Sequence, residues 1–315
     1  MGQDFLEKIR KSIFSITGDG FRKVVKILGI KIKFKQKINP EVLRCYFNKF
    51  VDIRLAPKAT GNLRKIQLLE LYMMKELKKI CDDIGVKFWM KAGTALGAYR
   101  HQGFIPWDDD IDLGIMREDF DKLVDYVNNN SQQFEIVYFY TKTFKLAKFV
   151  FKNVEGGIFV DLFPFDWCSY KNSDEFWLQW KRDKKQLSNV IKKLNFSNNS
   201  YAKDINTDVI KQIETENDKF KAKYANSDDK SGVCSAIEQF DSKSKKVFPA
   251  EMIFPLKLTK FEDGEFYTVN DEDGYLSQCY GEYMQFPKDL NLKGHDHMFS
   301  EKQKSEIDRL YSKYL

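Results

Sequence analysis

The spacing of apolar residues changes along the chain, and each spacing predicts a different element. Between residues 62 and 85 the apolar positions recur every three or four residues, as on one face of a helix: Leu63, Ile66, Leu69, Met73, Leu77, Ile80 and Ile84. Gly85 follows them, in the position where a glycine commonly ends a helix. Shorter apolar or alternating runs predict strands, over residues 86–90, 110–116, 134–140, 144–152 and 158–163.

The second half of the chain mixes charged helices with a return of strand-like alternation. Further helices are predicted over residues 93–100, 117–129, 174–194, 208–224, 271–280 and 300–314. Two alternating runs, 256–261 and 266–269, flank a turn sequence at 262–265, and its Asp263-Gly264 pair is typical of a β-hairpin. We therefore divide the chain into four parts: a basic arm over 1–58, a core over 59–169, a helical insertion over 170–250, and a C-terminal part over 251–315 that completes the core.

The N-terminal arm is strongly basic. Residues 1–58 hold 14 Lys and Arg against 5 Asp and Glu, a local charge of +9, whereas the whole chain carries +6. Residues 4–17 have the spacing of an amphipathic helix, and residues 30–34 alternate as a strand does. Two interpretations stay open: the arm packs on the rest of the protein, or it docks on an anionic membrane surface.

Composition narrows the class of protein. The chain is 43% hydrophobic and 31% charged, which is typical of a globular protein. It has no apolar run long enough to span a bilayer, and its five cysteines form no CxxC pair, which favours a reducing compartment. Because the positive charge is concentrated in one arm, we expect no nucleic-acid partner. With no secretion signal in its first residues, we expect a cytoplasmic protein, in peripheral contact with the inner face of the cell membrane if the arm docks there.

Acidic residues cluster on the strand predicted over 110–116. Asp110 and Asp112 are two residues apart there, so their side chains point the same way, about 6.6 Å apart along the strand. Asp161, on the strand predicted over 158–163, offers a third carboxylate. Carboxylates from neighbouring strands are common ligands of Mg²⁺ in phosphoryl transfer. The sequence therefore predicts a site for Mg²⁺, or for Mn²⁺, at Asp110, Asp112 and Asp161.

Groups suited to phosphate precede this acidic run. Gly93 and Thr94 open a short predicted helix, whose backbone N–H groups and hydroxyl can bind a phosphate. Arg100 can neutralise phosphate charge with two parallel hydrogen bonds. Each feature also has a plainer interpretation: the acidic run could be a solvated loop, Gly93-Thr94 a simple turn, and Asp161 a helix cap or a partner in a buried ion pair.

The order of these features is more specific than any one of them. A strand, a Gly-Thr turn, a short helix, an Asp-x-Asp strand and a later strand with one Asp follow the pattern of the nucleotidyltransferase superfold. The order predicts an α+β protein with a nucleotidyltransferase-like mixed β-sheet core flanked by helices and carrying a helical insertion. Fold alone does not decide the reaction.

One stretch carries a closer resemblance. Residues 93–123, GTALGAYRHQGFIPWDDDIDLGIMREDFDKL, resemble the signature of the LicD family of phosphotransferases, which is similar to fukutin and fukutin-related protein. The blocks FVDLFPFD, PLKLTKFEDGEF and DGYLSQCYGEYMQFP agree with that family, and the resemblance runs over 62–287, weakening across 170–250. The family often has Tyr-Gly-Asp where this chain has Glu282 after Tyr280-Gly281, a change that keeps the carboxylate.

The resemblance implies a reaction and a set of roles. The reaction is Mg²⁺-dependent transfer of a phosphorylated group, phosphocholine from CDP-choline above all, to a hydroxyl of a cell-surface glycan with release of CMP. The acceptor is of the lipopolysaccharide, capsule or teichoic acid type and can be lipid-linked; ribitol phosphate, glycerol phosphate and phosphoethanolamine are alternative groups. Expected contacts to the donor phosphates are Lys91, Gly93, Thr94, Arg100 and His101. Expected contacts to the transferred group or substrate are Trp107, Asp108, Asp109, Glu262 and Asp263.

Two other functions stay open at this point. A true nucleotidyltransferase would attack the phosphorus next to the nucleoside and release pyrophosphate instead of CMP. A binding module with an inactive site would be a non-enzymatic alternative, and the complete set Asp110, Asp112 and Asp161 argues against it.

Overall fold

The computed structural model describes residues 14–18, 23–27, 30–34, 40–154, 157–225, 227–239, 244–287 and 299–315. The described residues form two compact units. The first contains those up to residue 57 together with 284–287, and the second contains 58–283 together with 299–315. No helix within these ranges is both long enough and apolar enough to cross a membrane.

The first unit contains a small antiparallel sheet and one helix. The strands β1 (Phe14–Gly18), β2 (Lys23–Ile27) and β3 (Ile30–Phe34) pair in chain order, and helix α1 spans Pro40–Phe50. The strand predicted over 30–34 is confirmed as β3. The helix predicted over 4–17 is wrong for residues 14–17, which belong to β1, and the rest of it lies outside the described residues.

The helices of the second unit agree closely with the apolar spacing. They are α2 (Gly61–Ile84), α3 (Ala92–His101), α4 (Arg117–Asn130), α5 (Ser173–Ile191), α6 (Thr207–Lys221), α7 (Ala250–Ile253), α8 (Glu272–Tyr280) and α9 (Glu301–Tyr314). Gly85 ends α2 with a φ of 68°, in the left-handed region that favours glycine. Ser300 and Gln303 form a capping box at the start of α9, which fixes where that helix begins.

A mixed sheet of eight strands forms the core of the second unit, which confirms the predicted α+β class. Its strands are β4 (Phe88–Met90), β5 (Ile111–Met116), β6 (Phe134–Tyr140), β7 (Lys145–Phe151), β8 (Val160–Cys168), β9 (Ser200–Tyr201), β10 (Gly232–Ser235) and β11 (Val247–Pro249). The central strand β8 pairs in parallel with β5 and antiparallel with both β7 and β10. This arrangement brings β5, β7 and β8 side by side where the acidic residues lie.

The segment predicted as a helical insertion is helical only in part. Helices α5 and α6 lie in it as expected, and Trp177 and Trp180 stack inside a second apolar cluster with ring centroids 4.7 Å apart. The same segment also supplies β10 and β11 to the central sheet. The insertion over 170–250 therefore contains the predicted helices together with two strands that the apolar pattern did not predict, because strands this short show no period.

The predicted hairpin is present with a shifted turn. Strands β12 (Lys257–Phe261) and β13 (Gly264–Thr268) pair so that Phe261 faces Gly264, which leaves Glu262 and Asp263 as a two-residue turn. Glu262 takes the left-handed conformation there, with a φ of 55°. The Asp-Gly pair predicted for the turn is therefore offset by one residue.

Candidate metal-dependent transferase site

Strand register brings two of the predicted metal ligands together. Asp112 on β5 lies directly opposite Asp161 on the parallel strand β8. The residues before and after each aspartate along its strand, Ile111, Leu113, Val160 and Leu162, are fully buried in the core. Because successive side chains of a strand alternate faces, both carboxylates point to the same side of the sheet.

Asp110 completes the group from the residue just before β5. One carboxylate oxygen from each of Asp110, Asp112 and Asp161 lies within 4.8 Å of the other two. Three hard oxygen donors that converge in this way suit Mg²⁺ or Mn²⁺. The donor set therefore fits a divalent cation, which these three aspartates would hold together.

Residues at the start of α3 form hydrogen bonds with Asp112 through two backbone amides and one hydroxyl. Thr94 accepts a hydrogen bond at its Oγ1 from the backbone N–H of Asp112 at 2.8 Å, and the N–H of Lys91 donates to the carbonyl of Asp112 at 3.0 Å. The backbone N–H of Gly93 donates to the Asp112 carboxylate and lowers its pKa, against the larger effect of burial, which raises it. A Cβ at Gly93 would lie 2.3 Å from Oδ2 of Asp108, so a larger residue there would displace that carboxylate. The predicted contacts of these groups to phosphate stay a prediction.

Three lysines surround the carboxylates. Lys148, on β7, pairs with Asp161 at 2.7 Å, and both side chains are buried. Lys91 is buried with its Nζ 3.5 Å from the centre of the Phe163 ring. The charges of Lys91, Lys148 and Lys246 all favour the ionised form of Asp112. The site therefore combines carboxylates for a cation with ammonium groups that can face phosphate.

Sequence reasoning missed Lys148 and Lys246. Lys148 stands in the alternating run KLAKFVF, and its partner across the sheet is Asp161 itself. A lysine in the middle of an apolar strand was the available signal, because such a charge needs a buried partner. Lys246 precedes a strand of only three residues and gave no such signal.

The other predicted phosphate contacts lie at the end of α3. Arg100 is buried and donates from Nη1 to the carbonyl of Tyr283 at 2.7 Å. Burial lowers its pKa to about 10, while the nearby Tyr280 and Asp108 act in the opposite direction. His101 and Trp107 meet edge to face, with ring centroids 6.4 Å apart. Arg100 therefore lies near enough to the acidic run for the charge of Asp108 to act on it.

Like charges crowd the site. Burial raises the pKa of Asp110, and the charges of Asp112 and Asp108 raise it further. Burial likewise raises the pKa of Asp161 to about 6, against the opposing charge of Lys148 and with the support of Asp112. Asp108 follows the same direction for the same main cause. The pKa values of these carboxyls are raised because the groups are buried next to one another, and carboxylates grouped in this way are suitable ligands for a divalent cation.

Glu70 is a further acidic residue that sequence reasoning missed. It lies on α2, is fully buried, and its pKa is raised well above the usual value by burial and by the charges of Asp110, Asp109, Asp161 and Asp108. Neither of its carboxylate oxygens has a hydrogen-bond partner among the described residues. The signal in the sequence was a glutamate inside the apolar stripe of α2, next to Leu69 and three residues before Met73.

The hairpin carboxylates have partners within the fold. Glu262 binds Lys58 at 2.5 Å and Arg64 at 2.8 Å, and its side chain is 5% exposed. Although its partial burial acts to raise the pKa, those two cations hold the pKa of Glu262 at about 2. Asp263 pairs with Lys75 at 2.7 Å on the surface. The structure gives both residues a part in fixing the β12–β13 hairpin, and their predicted contact with substrate stays a prediction.

Sequence comparison relates this chain to a family of known proteins. Residues 85–198 match the family model described as LicD/FKTN/FKRP, nucleotidyltransferase domain. Lipopolysaccharide cholinephosphotransferase LicD of Haemophilus influenzae is 27% identical over 254 residues, which cover 74% of this chain and 95% of that protein. Two shorter matches are to ribitol phosphate transferases. FKTN of Mus musculus is 38% identical over 77 residues, 24% of this chain and 16% of that protein, and human FKRP is 50% identical over 40 residues, 13% and 8% respectively.

Proposed function

From the LicD/FKTN/FKRP nucleotidyltransferase domain that this chain carries, we propose that the enzyme transfers a phosphorylated group from a CDP-linked donor to a hydroxyl of a cell-surface glycan. The bond between the two phosphates of the donor breaks, CMP is the leaving group, and the reaction requires Mg²⁺ or Mn²⁺. The group transferred is phosphocholine, and the acceptor is a glycan of the lipopolysaccharide type.

The convergence of Asp110, Asp112 and Asp161 carries this proposal. Their oxygens lie within 4.8 Å of one another, and Lys148 fixes the position of Asp161 from the neighbouring strand. A divalent cation held there supplies positive charge to the diphosphate and to the transferring phosphoryl group. A site that offered only lysines could bind a phosphate, but it would have no use for three convergent carboxylates.

Side chains of this protein would bind the donor diphosphate and accept the proton of the acceptor hydroxyl. Lys91 and Lys246 lie near Asp112, where their charges can hold the donor diphosphate. Asp161 lies in the same group of carboxylates and can accept the proton of the attacking hydroxyl. Lys148 donates to Oδ1 of Asp161 and so holds that carboxylate beside the other two.

Two observations favour phosphocholine over ribitol phosphate. The match to the cholinephosphotransferase spans 95% of that relative, whereas the matches to FKTN and FKRP span 16% and 8% of theirs. A quaternary ammonium group is recognised by aromatic faces. Trp107 is only partly buried beside the acidic run, whereas Phe163 is buried and already contacts the ammonium group of Lys91. We therefore assign choline recognition to Trp107.

A donor screen tests the proposal. CDP-choline, CDP-ribitol, CDP-glycerol, CDP-ethanolamine and, in separate reactions, nucleoside triphosphates are each incubated with the enzyme, Mg²⁺ and an acceptor glycan, and CMP and pyrophosphate are both measured. We expect CMP release to be fastest with CDP-choline. Fastest release with CDP-ribitol would reassign the transferred group, and release of pyrophosphate from nucleoside triphosphates without CMP would replace the proposal with a nucleotidyl transfer.

A peripheral membrane contact is part of the same proposal. Residues 1–58 carry a local charge of +9, which suits an anionic bilayer surface. We expect the full-length protein to sediment with anionic vesicles at low salt, and a chain lacking residues 1–37 to stay in the supernatant with an unchanged melting temperature. A full-length protein that never sediments with such vesicles would refute the docking of the arm, and a melting temperature lowered by several degrees would assign the arm to the fold.

A further inference from the structure

Glu70 is a buried carboxylate that the fold leaves without a partner. It lies on the inner face of α2 with 0% of its surface exposed, between the fully buried Leu69 and Met73. Neither oxygen accepts a hydrogen bond from any described residue. A carboxyl in such a place favours its neutral form until a cation or hydrogen-bond donors stabilise its charge.

The position of Glu70 is fixed towards the acidic cluster. One turn earlier on α2, Gln67 donates to the carbonyls of Asp108 at 2.8 Å and of Ile105 at 3.3 Å, which holds the acidic loop against the helix. Of the charges that act on Glu70, that of Asp110 is the strongest. Gln67 and Glu70 are three residues apart and share one face of α2, so Glu70 lies on the side of the helix that packs against the acidic loop.

No described residue donates a hydrogen bond to the Glu70 carboxyl, and a hydrated cation beside it would supply donors. The three aspartate oxygens form a group within 4.8 Å, and Glu70 is not a member of that group. Mg²⁺ bound through few carboxylates keeps several of its water molecules, and each of these is a hydrogen-bond donor. Carboxylates that accept such hydrogen bonds commonly raise the affinity of a metal site.

We propose that Glu70 is a positioning residue that accepts hydrogen bonds from water retained by the cation at Asp110, Asp112 and Asp161. It raises the affinity of the site for Mg²⁺ and Mn²⁺ without touching the donor or the acceptor. The inference rests on the proposed function, because it requires a cation at those three aspartates.

The test compares two glutamates of the same helix. Glu70→Gln replaces the buried carboxyl with an amide that cannot become an anion, at nearly constant volume, and Glu76→Gln makes the same change at a partly exposed residue that pairs with Lys79. Both variants and the wild-type chain are stripped of metal with EDTA and checked for folding by circular dichroism. Mn²⁺ binding is then titrated by electron paramagnetic resonance, and melting temperatures are recorded with EDTA and with Mg²⁺.

We expect Glu70→Gln to bind Mn²⁺ about 10- to 100-fold more weakly than wild type. In EDTA it should melt at about the same temperature as wild type, because burial already keeps the unpaired Glu70 carboxyl neutral there, and Mg²⁺ should stabilise it less. Glu76→Gln should match wild type in Mn²⁺ affinity and in its response to Mg²⁺. A purely structural role for Glu70 would give the opposite pattern, with a lower melting temperature in EDTA and unchanged Mn²⁺ affinity.

Wild-type affinity for Mn²⁺ in Glu70→Gln would overturn the inference. If Glu70→Gln does not fold, Glu70→Asp replaces it, since that change keeps the charge and withdraws the carboxylate by one methylene; the same loss of affinity is expected, and an unchanged affinity would again overturn the inference. A wild-type chain that binds no Mn²⁺ at all would overturn the proposed metal site itself, and this outcome is distinct from a failure at Glu70.

Discussion

Arg117 ties together the two strands that carry the site aspartates, and its removal should be costly. It is the first residue of α4, directly after β5, and it donates from Nε and Nη2 to Asp166 on β8 at 2.8 and 2.7 Å. It also donates to Glu238, and all three side chains are buried, with exposures of 10, 0 and 12%. Arg117→Met deletes the cation and keeps much of the aliphatic stem.

The expected loss follows from the burial of the partners. Removal of one member of a buried ion pair costs about 3–5 kcal/mol, because the remaining charges stay desolvated. The pKa of Glu238 agrees with this range: burial raises it, but the charge and hydrogen bonds of Arg117 outweigh burial and hold it at about 2, against an ordinary 4.5. That depression corresponds to about 3 kcal/mol at neutral pH. In a chain of this size the melting temperature should fall by about 5–8 °C.

The dependence on pH gives a second signature. Since the folded-state pKa of Glu238 lies below its unfolded value, its contribution to stability is complete above pH 4.5 and is lost as the pH falls towards about 2. In Arg117→Met, that contribution should be absent at neutral pH, so acidification over this range should cost the variant less free energy than it costs wild type.

Urea unfolding followed by circular dichroism measures both effects. Arg309→Met serves as the matched control, because Arg309 forms an exposed pair with Glu306 on α9 and such pairs contribute about 0–1 kcal/mol. A loss in Arg117→Met no larger than that in Arg309→Met would refute the reasoning. The reasoning would also be refuted if acidification cost Arg117→Met as much free energy of unfolding as it costs wild type.

Three further predictions follow from the same structure. Asp112→Asn should lower CMP release by about 10²-fold or more with an unchanged circular dichroism spectrum, and near-normal turnover would remove Asp112 from the metal site. Gly114→Ala should lower the free energy of unfolding by about 1–3 kcal/mol, because a Cβ there would lie 2.5 Å from the buried indole of Trp89; stability equal to wild type in urea unfolding would contradict this. Exchange of residues 173–225, which hold α5 and α6, for those of a relative with another acceptor should change the acceptor profile more than the donor KM, and an unchanged profile in a folded chimera would rule this out.

Periodicity predicted the elements that have one buried face. The apolar spacing predicted α2 up to Gly85, and Gly85 ends that helix in the structure. The alternation around Asp112 predicted both the strand β5 and the face of that strand on which Asp112 lies. Periodicity failed where a segment was short or ambiguous. Residues 14–17 belong to a strand although the apolar spacing over 4–17 suited a helix, and the β-branched Ile16 and Thr17 favour the strand. The strands β10 and β11 hold only four and three residues, too few to show a period.

The candidate site was predictable only in part, because the sequence gives the face of a residue and not its partners. Asp161 was interpreted either as a metal ligand or as a member of a buried ion pair, and the structure brings it both to the other aspartates and to Lys148. The pairing of Lys148 with Asp161 depends on the register between β7 and β8, which no local sequence pattern specifies. The position of Glu70 near the acidic loop depends on the packing of α2 against that loop, which starts more than 30 residues later in the chain.

The parallel pairing of Asp112 with Asp161 has a consequence for how this protein can vary. The separation of these two carboxylates is set by the backbone hydrogen bonds of β5 and β8, whatever the surface loops contain. Insertion of a single residue within either strand would turn its aspartate to the opposite face and bury it in the core, because side chains alternate along a strand. Length changes that preserve the reaction are therefore confined to the connections between strands, and a gap inside β5 or β8 in any related sequence would mark a protein that has lost this chemistry.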